Sequence, residues 1–338
     1  MRAALLFVAA SAALIVTIGL VWIYVYSIKT SGEREVGGEA EEVLAQVKAE
    51  PHRRKGVPLY GKGVWLWGVT VQEYGAEYVI AKCKELGITH IFLLVKGTSG
   101  HVSKEALSKL LPLAHREGIY VHAWFVCFSD KSKPEATPLS RSYRVYLLKL
   151  IADFLTTDFS GEYVDGVHLD YIRFKGNAED KWHSVSSFVA EVRKLVDNLA
   201  PGAVLSIASK AEEYSSMEGL AESALYYGQN YTDLARYVDL FCPMTYHLDY
   251  GVEPQLVGQA AAWVKMLTGK PVFAGIQTHP SENPSTAGKV PTPEELDAAM
   301  KSCRKHGVDG VVFFAFHTLV ENYEAYKPVI QKYSFGKK

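Results

Sequence analysis

The chain has 338 residues, 48% of them hydrophobic and 12% aromatic, with a formal net charge of -1. That composition supports a full-sized core and excludes disorder for most of its length. The near-neutral balance lacks the basic excess a phosphate backbone demands, so nucleic acid is not an expected partner.

From Ala3 to Ile28 the sequence is apolar apart from Ser11, Thr17 and Ser27. At about 1.5 Å per residue such a helix crosses a bilayer, and it exceeds the roughly 7 to 15 apolar residues of a secretory signal. Residues 1–28 are therefore expected to form a transmembrane signal anchor. Arg2 would lie on the inner side, and Trp22, Tyr24 and Tyr26 near the outer interface. Cleavage in the small-residue tract Ala9 to Ala13 is the alternative, and either outcome exports the remainder. Residues 29–60 carry Gly, Glu, Pro51, Pro58 and the basic knot Arg53, Arg54 and Lys55. They read as a juxtamembrane linker, with a short amphipathic helix possible around Glu41 to Ala49, where Val43, Leu44 and Val47 share a face.

After residue 60 a short apolar run followed by an amphipathic helical pattern recurs, and the units number eight. The expected strands are Val64–Gly68, His90–Val95, Tyr120–Val126, Val164–Ile172, Val204–Lys210, Leu240–Tyr246, Pro271–Thr278 and Val311–His317. Helical patterns lie between them, among them Glu77–Leu86, Lys104–Glu117, Ser140–Leu155, Ser184–Leu199, Glu253–Leu267 and Pro293–His306, with a last one at Val320–Tyr333. Gly87, Gly118 and Gly307 stand where left-handed helix ends are expected, and Thr292-Pro293-Glu294-Glu295 reads as a capping box. Alternation of this kind implies parallel strands, and eight units match a (β/α)8 TIM barrel of about 250 residues, here spanning 61–338 as an α/β domain preceded by one transmembrane helix. An open doubly wound sheet would carry a Gly-rich phosphate turn after its first strand, and Gly68 to Tyr74 has none. The four Cys are far apart without Cys-x-x-Cys spacing and read as thiols.

In this fold the site sits at the C-terminal strand ends, so the last inward side chain of each strand matters most. Two-residue alternation, with aliphatic residues facing outward, nominates Trp67, Lys96, Trp124, Asp170, Lys210, Tyr246, Gln277 and His317 in strand order. Strand four is the most informative: if Val167 and Leu169 face the helices, His168 and Asp170 face inward together. A charged inward strand end marks a ligand site rather than packing, although Asp170 could simply pair with Lys96 or Lys210.

Asp165-Gly166-Val167-His168-Leu169-Asp170-Tyr171-Ile172-Arg173-Phe174 resembles the fourth-strand motif of the uncharacterised glycoside-hydrolase-like barrels, approximately Asp-Gly-Ile-His-Phe-Asp-Tyr-Ile-Arg-Tyr. Pro243-Met244-Thr245-Tyr246-His247 is similar to the sixth-strand element of those barrels and of family-18 chitinases. The motif also resembles the alpha-amylase strand that ends in a nucleophile, which would correspond to Asp170. In the chitinases the catalytic Glu would fall on Ile172, so that mechanism does not transfer intact. The resemblance implies a glycosidase with Asp170 as principal catalytic carboxylate, and a second carboxylate must come from a loop. Asp249 and Glu213 are the foremost candidates, beside Glu212, Glu73 and Asp130.

Trp67, Lys96, Trp124, His168, Tyr171, Arg173, Lys210, Tyr246, His247, Gln277 and His317 would then bind a poly- or oligosaccharide, the aromatics stacking on sugar rings. The expectation is a monomeric, membrane-anchored, extracytoplasmic enzyme without a cofactor. A non-catalytic glycan-binding barrel is the alternative from another class. A metal-dependent hydrolase using His247, His279 and His317 with Asp170 is the enzymatic rival, weakened by the lack of a His-x-His on strand one.

Overall fold

A computed structural model of the chain describes residues 38–336. The expected transmembrane helix lies outside them, and among the described residues no helix is long and apolar enough to cross a membrane.

The barrel begins with strand β1 (Gly61–Trp67) and continues through β2 (His90–Lys96), β3 (Tyr120–Val126), β4 (Gly166–Asp170), β5 (Val204–Lys210), β6 (Leu240–Met244), β7 (Phe273–Gln277) and β8 (Gly310–Phe314). Neighbours pair in parallel in the order β6-β5-β4-β3-β2-β1-β8-β7. A parallel bridge between Phe241 and Val272 closes the ring, with the Phe241 N–H donating to Pro271 O at 3.1 Å. The eight-unit (β/α)8 expectation thus holds.

The longer outer helices cover the strands because they carry apolar stripes at helical spacing, and short ones lie among them at the strand ends. They include α2 (Gly68–Tyr74), α3 (Ala76–Leu86), α4 (Glu105–Arg116), α5 (Arg141–Thr156) and α6 (Trp182–Leu199). After β5 come α7 (Met217–Tyr226) and α8 (Tyr231–Leu234), and after β6 α9 (His247–Tyr250) and α10 (Val257–Thr268). The circuit ends with α11 (Pro293–Lys305), α12 (Phe316–Glu321) and α13 (Tyr323–Lys332). Thr292 caps α11: its Oγ1 accepts from Glu295 N at 3.2 Å, while Glu295 Oε2 accepts from Thr292 N at 2.8 Å. Gly87 ends α3 at φ 66°, a left-handed conformation costly for residues with a Cβ.

Two separate layers of core follow from strand alternation. Val167 and Leu169 join the aliphatic layer between sheet and helices, whereas Trp65, Phe92, Trp124 and Phe273 fill the barrel interior. Gly166 leaves the space this demands: a Cβ there would lie 2.4 Å from His122 Nδ1 and 2.5 Å from Val204 O.

The described part of the expected linker is folded onto the barrel, and the compact unit begins at Glu39. Helix α1 (Glu39–Leu44) buries Ala40 and Val43 against α5 and α6. Glu39 pairs with Arg144, Glu41 with Lys194 and Glu42 with Arg141, each at 2.6 Å. Arg54 then pins the chain below the barrel, donating to Val164 O at 2.7 Å and Leu155 O at 2.6 Å. Charged residues gave this segment the look of a tether, but its charges are complementary to those of α5 and α6.

Candidate active site

A cleft of about 550 Å³ opens at the C-terminal ends of the strands. Its floor is aromatic, with Trp65, Trp124, Tyr246 and Phe314, and its wall carries Asp170, Tyr171, Arg173, Lys210, Glu212 and Asp249.

Asp170 ends β4 and is 6% exposed. The chain just after β3 grips the strand end, Cys127 N–H donating to Asp170 O at 2.8 Å and Phe128 N–H to Tyr171 O at 3.0 Å. Tyr171 takes φ 52°, a left-handed conformation rare for a residue with a side chain, and its N–H donates to Asp170 Oδ1 at 2.6 Å. Burial pushes the Asp170 carboxyl upward, against the opposing pull of Arg173, the Tyr171 N–H, the Trp124 indole and Lys210. Arg173 Nη1 lies 3.9 Å from Asp170 Oδ1, outside hydrogen-bond range.

Asp249 comes from α9 and has the opposite environment. Its Oδ1 accepts from Gln277 Nε2 at 3.0 Å and Glu282 N at 2.9 Å, and its Oδ2 lies 3.0 Å from His279 Nε2. Partial burial alone would raise its carboxyl, but His279, the Glu282 N–H and Ser281 hold it below the usual carboxylate range. Tyr246 is pushed far up, first by burial and then by Asp170 and Asp249 together with Tyr250. One buried phenol therefore feels both carboxylates.

Lys210 ends β5 and pairs with Glu212, which also accepts from Tyr227 OH at 2.8 Å. Burial and the neighbouring Arg173 pull its ammonium down to about 8, against the attraction of Asp170 and Asp249.

Several expected site residues lie elsewhere. Lys96 leaves the mouth because the β2–β3 register shifts between Leu94 and Lys96, re-aiming its side chain. Its Nζ is fully buried against Val126 O at 2.9 Å and Asp130 Oδ2 at 3.1 Å, so this pair is structural. Asp130 is spent there. Glu213 does not line the cleft: its Oε1 accepts from Ser215 N at 2.7 Å, while its neighbour Glu212 faces inward. Glu73 is exposed.

Trp67 lies outside the cleft lining and stacks on His317 with ring centroids 4.2 Å apart. His317 belongs to α12, because β8 stops at Phe314 and presents Val312 and Phe314 inward, the opposite parity to that expected. His247 is buried behind the cleft, and Gln277 is buried beside Asp249 rather than lining it. His168 lies under the floor. Trp65 Nε1 donates to its Nε2 at 3.0 Å, which leaves the proton on Nδ1 to meet Ser206 Oγ at 2.9 Å. With His247, His279 and His317 apart, no three His, Cys, Asp or Glu side chains among the described residues are placed to hold a metal ion.

Alternation could have found Trp65 and Met244, each two residues before a nominated position. Asn283 and Tyr250 come from a loop and a short helix, where no periodicity points to them, and His279, named as a possible metal ligand, lines the cleft beside Asp249 instead.

No family model matches the chain, and no curated protein matches it. Among solved structures it is similar to the glycoside hydrolase domain of PgaB (BpsB) from Bordetella bronchiseptica, with TM-score 0.64 and 13% identity over 81% of this chain and 100% of that one. A family-18 chitinase from Cycas revoluta in complex with (GlcNAc)3 aligns with TM-score 0.59 and 9% identity over 80% and 99%. A family-18 N-acetylglucosaminidase from Paenibacillus barengoltzii aligns with TM-score 0.54 and 14% identity over 81% and 99%. The chain thus has the (β/α)8 barrel fold of these glycoside hydrolases.

Proposed function

We propose that the protein hydrolyses glycosidic bonds of a poly- or oligosaccharide, with Asp170 as proton donor and Asp249 as the ionised partner. One observation carries this reading: two carboxyl groups line one cleft in environments that push them in opposite directions. Glycoside hydrolysis needs that division, one group protonated to deliver a proton to the leaving oxygen and one ionised to attack or to activate water. Trp65, Trp124 and Tyr246 supply flat apolar faces for sugar rings. Ile172, buried where a chitinase carries its catalytic Glu, argues against substrate-assisted chemistry of the chitinase kind. The apolar run Ala3 to Ile28 supports a membrane-anchored enzyme facing away from the cytoplasm.

The test is release of reducing ends from a panel of cell-surface and environmental polysaccharides. Asp170→Asn should slow hydrolysis by about a thousandfold or more, about 4 kcal/mol, without loss of fold. A loss under about tenfold, about 1.4 kcal/mol, would rule out a chemical role. Binding without release of reducing ends, unchanged in Asp170→Asn, would make the protein a glycan-binding barrel instead.

A further inference from the structure

We infer that a second cavity, at the N-terminal end of the barrel and away from the cleft, binds a phosphate-bearing ligand. It measures about 470 Å³ and lies where α4 ends and where β3 and β4 begin. Arg53, Arg54, Lys55 and Arg116 line it, against the two acids Glu162 and Asp165. The first three form the basic knot of the segment that leads into β1, and the cleft makes no use of them.

Both acids are already engaged. Glu162 Oε2 lies 2.7 Å from His115 Nδ1 and Asp165 Oδ2 2.9 Å from His115 Nε2, so one imidazole bridges them. A carboxylate at each ring nitrogen calls for a proton on each. Burial alone would lower His115, but Asp165 and then Glu162 raise it to about 8. Asp165 also accepts from the Val121 N–H at 2.7 Å. Arg54 is spent as well: it is buried and donates to the carbonyls of Val164, Leu155 and His52.

Arg53, Lys55 and Arg116 remain. All three are exposed, and their side chains make no hydrogen bond or ion pair with any described residue. The backbone that carries Arg53 and Lys55 is nevertheless pinned. His52 N–H donates to Leu199 O at 3.1 Å and Arg54 N–H to Pro201 O at 2.8 Å, while the His52 ring stacks on Tyr163 with centroids 3.9 Å apart. Three accessible cations around one concave surface, in a chain of net charge -1, focus a field that draws in an anion. Two arginine forks and a lysine suit a phosphate group, whose several oxygens can be shared among donors arriving from different directions, whereas a carboxylate presents only two.

The phosphate could belong to a soluble ester or to a phospholipid headgroup, and two arms separate these sources. In the first, the full chain with phosphatidylcholine nanodiscs is titrated with glycerol phosphate; in the second, about 30% of the lipid is replaced by phosphatidylglycerol. Both are read at about 150 mM salt, where diffuse attraction is screened, by hydrogen exchange of residues 52–55 and 116–120. At least one arm should slow exchange there about fivefold, with no change around the cleft. The combined Arg53→Gln, Lys55→Gln, Arg116→Gln variant should lose that protection, about tenfold in affinity, while Lys289→Gln, Lys301→Gln, Lys305→Gln, three exposed cations elsewhere, should keep it. Should the combined variant fail to fold, Arg116→Gln alone must weaken the effect at least about threefold. Protection in the first arm assigns a soluble ester, and protection in the second alone a headgroup. No protection in either arm, or equal loss in the two triple variants, overturns the inference. Neither arm requires hydrolysis, so the outcome stands apart from that of the glycosidase reading.

Discussion

Gln277 grips Asp249 through both ends of its amide: Nε2 donates to Asp249 Oδ1 at 3.0 Å, while Oε1 accepts from the N–H groups of Leu248 at 3.1 Å and Asp249 at 3.3 Å. The buried end of β7 thereby fixes both the backbone and the carboxylate of α9.

In the proposed mechanism this geometry makes Gln277 a positioning residue. Gln277→Leu should lower kcat about 10- to 100-fold with KM within about threefold, since misorientation by a fraction of an ångström costs reaction geometry more than binding. The acid limb of the rate profile should move to higher pH, because the carboxylate loses a donor to its ionised form. A variant with wild-type kcat and an unmoved acid limb would show that Asp249 needs no such support.

The pH dependence of kcat/KM should be bell-shaped. Asp249 is held below its ordinary range, so activity is present above that lowered value and lost as pH falls through it. Asp170 is raised and, in the proposed role, acts protonated, so activity should be lost as pH rises through its raised value. Asp170→Asn removes the alkaline limb along with most of the rate. An alkaline limb persisting unchanged in the residual activity of that variant would assign it to another group.

Three buried imidazoles below the cleft should make the barrel acid-labile. His90 Nδ1 lies 3.2 Å from His122 Nε2, and His168 stands above them beside Ser206. Burial lowers His90 to about 4 and His168 to about 3, and lowers His122 well below its ordinary value. These groups stay neutral when folded and take up protons when unfolded. Their contribution is complete above the unfolded value of about 6.5 and is lost as pH falls from there through about 4 to 3. For His90 alone the loss is on the order of 3 kcal/mol. Urea titrations between about pH 7 and 4 should show this decline, shallower in His90→Phe. Equal slopes for the two chains would refute the assignment.

Removal of residues 38–49 should destabilise the barrel. Ala40 and Val43 are buried, and three ion pairs tie α1 to α5 and α6. Burial of these side chains contributes on the order of 2 to 3 kcal/mol and the two exposed pairs little, while loss of Glu39 also leaves the buried Arg144 without its carboxylate. A chain beginning at about residue 50 should therefore melt several degrees below one beginning at Gly38. An unchanged melting temperature would return the segment to the role of a tether.

The strand–helix order was legible because burial imposes a period on the sequence, two for strands and 3.6 for helices. Val167, His168, Leu169 and Asp170 divide between the two faces as alternation requires. Lys96 shows where the rule stops. Its parity points inward, yet a one-residue register shift against β3 carries it to Asp130, and nothing in the local sequence marks that shift. His317 failed for a related reason: β8 ends three residues earlier, and a helix begins where alternation was extrapolated.

The sequence by itself determined the eightfold alternation and the acid at the end of β4, since both are local consequences of periodic burial. Only the tertiary structure decided which residues meet Asp170. Asp249, Lys210 and His279 reach the cleft from different strand ends and loops, and their meeting depends on barrel closure and loop path, whereas Arg173 follows Asp170 on the same strand end. It also decided the fate of Glu212 and Glu213: the local turn aims one into the cleft and folds the other back onto the Ser215 N–H.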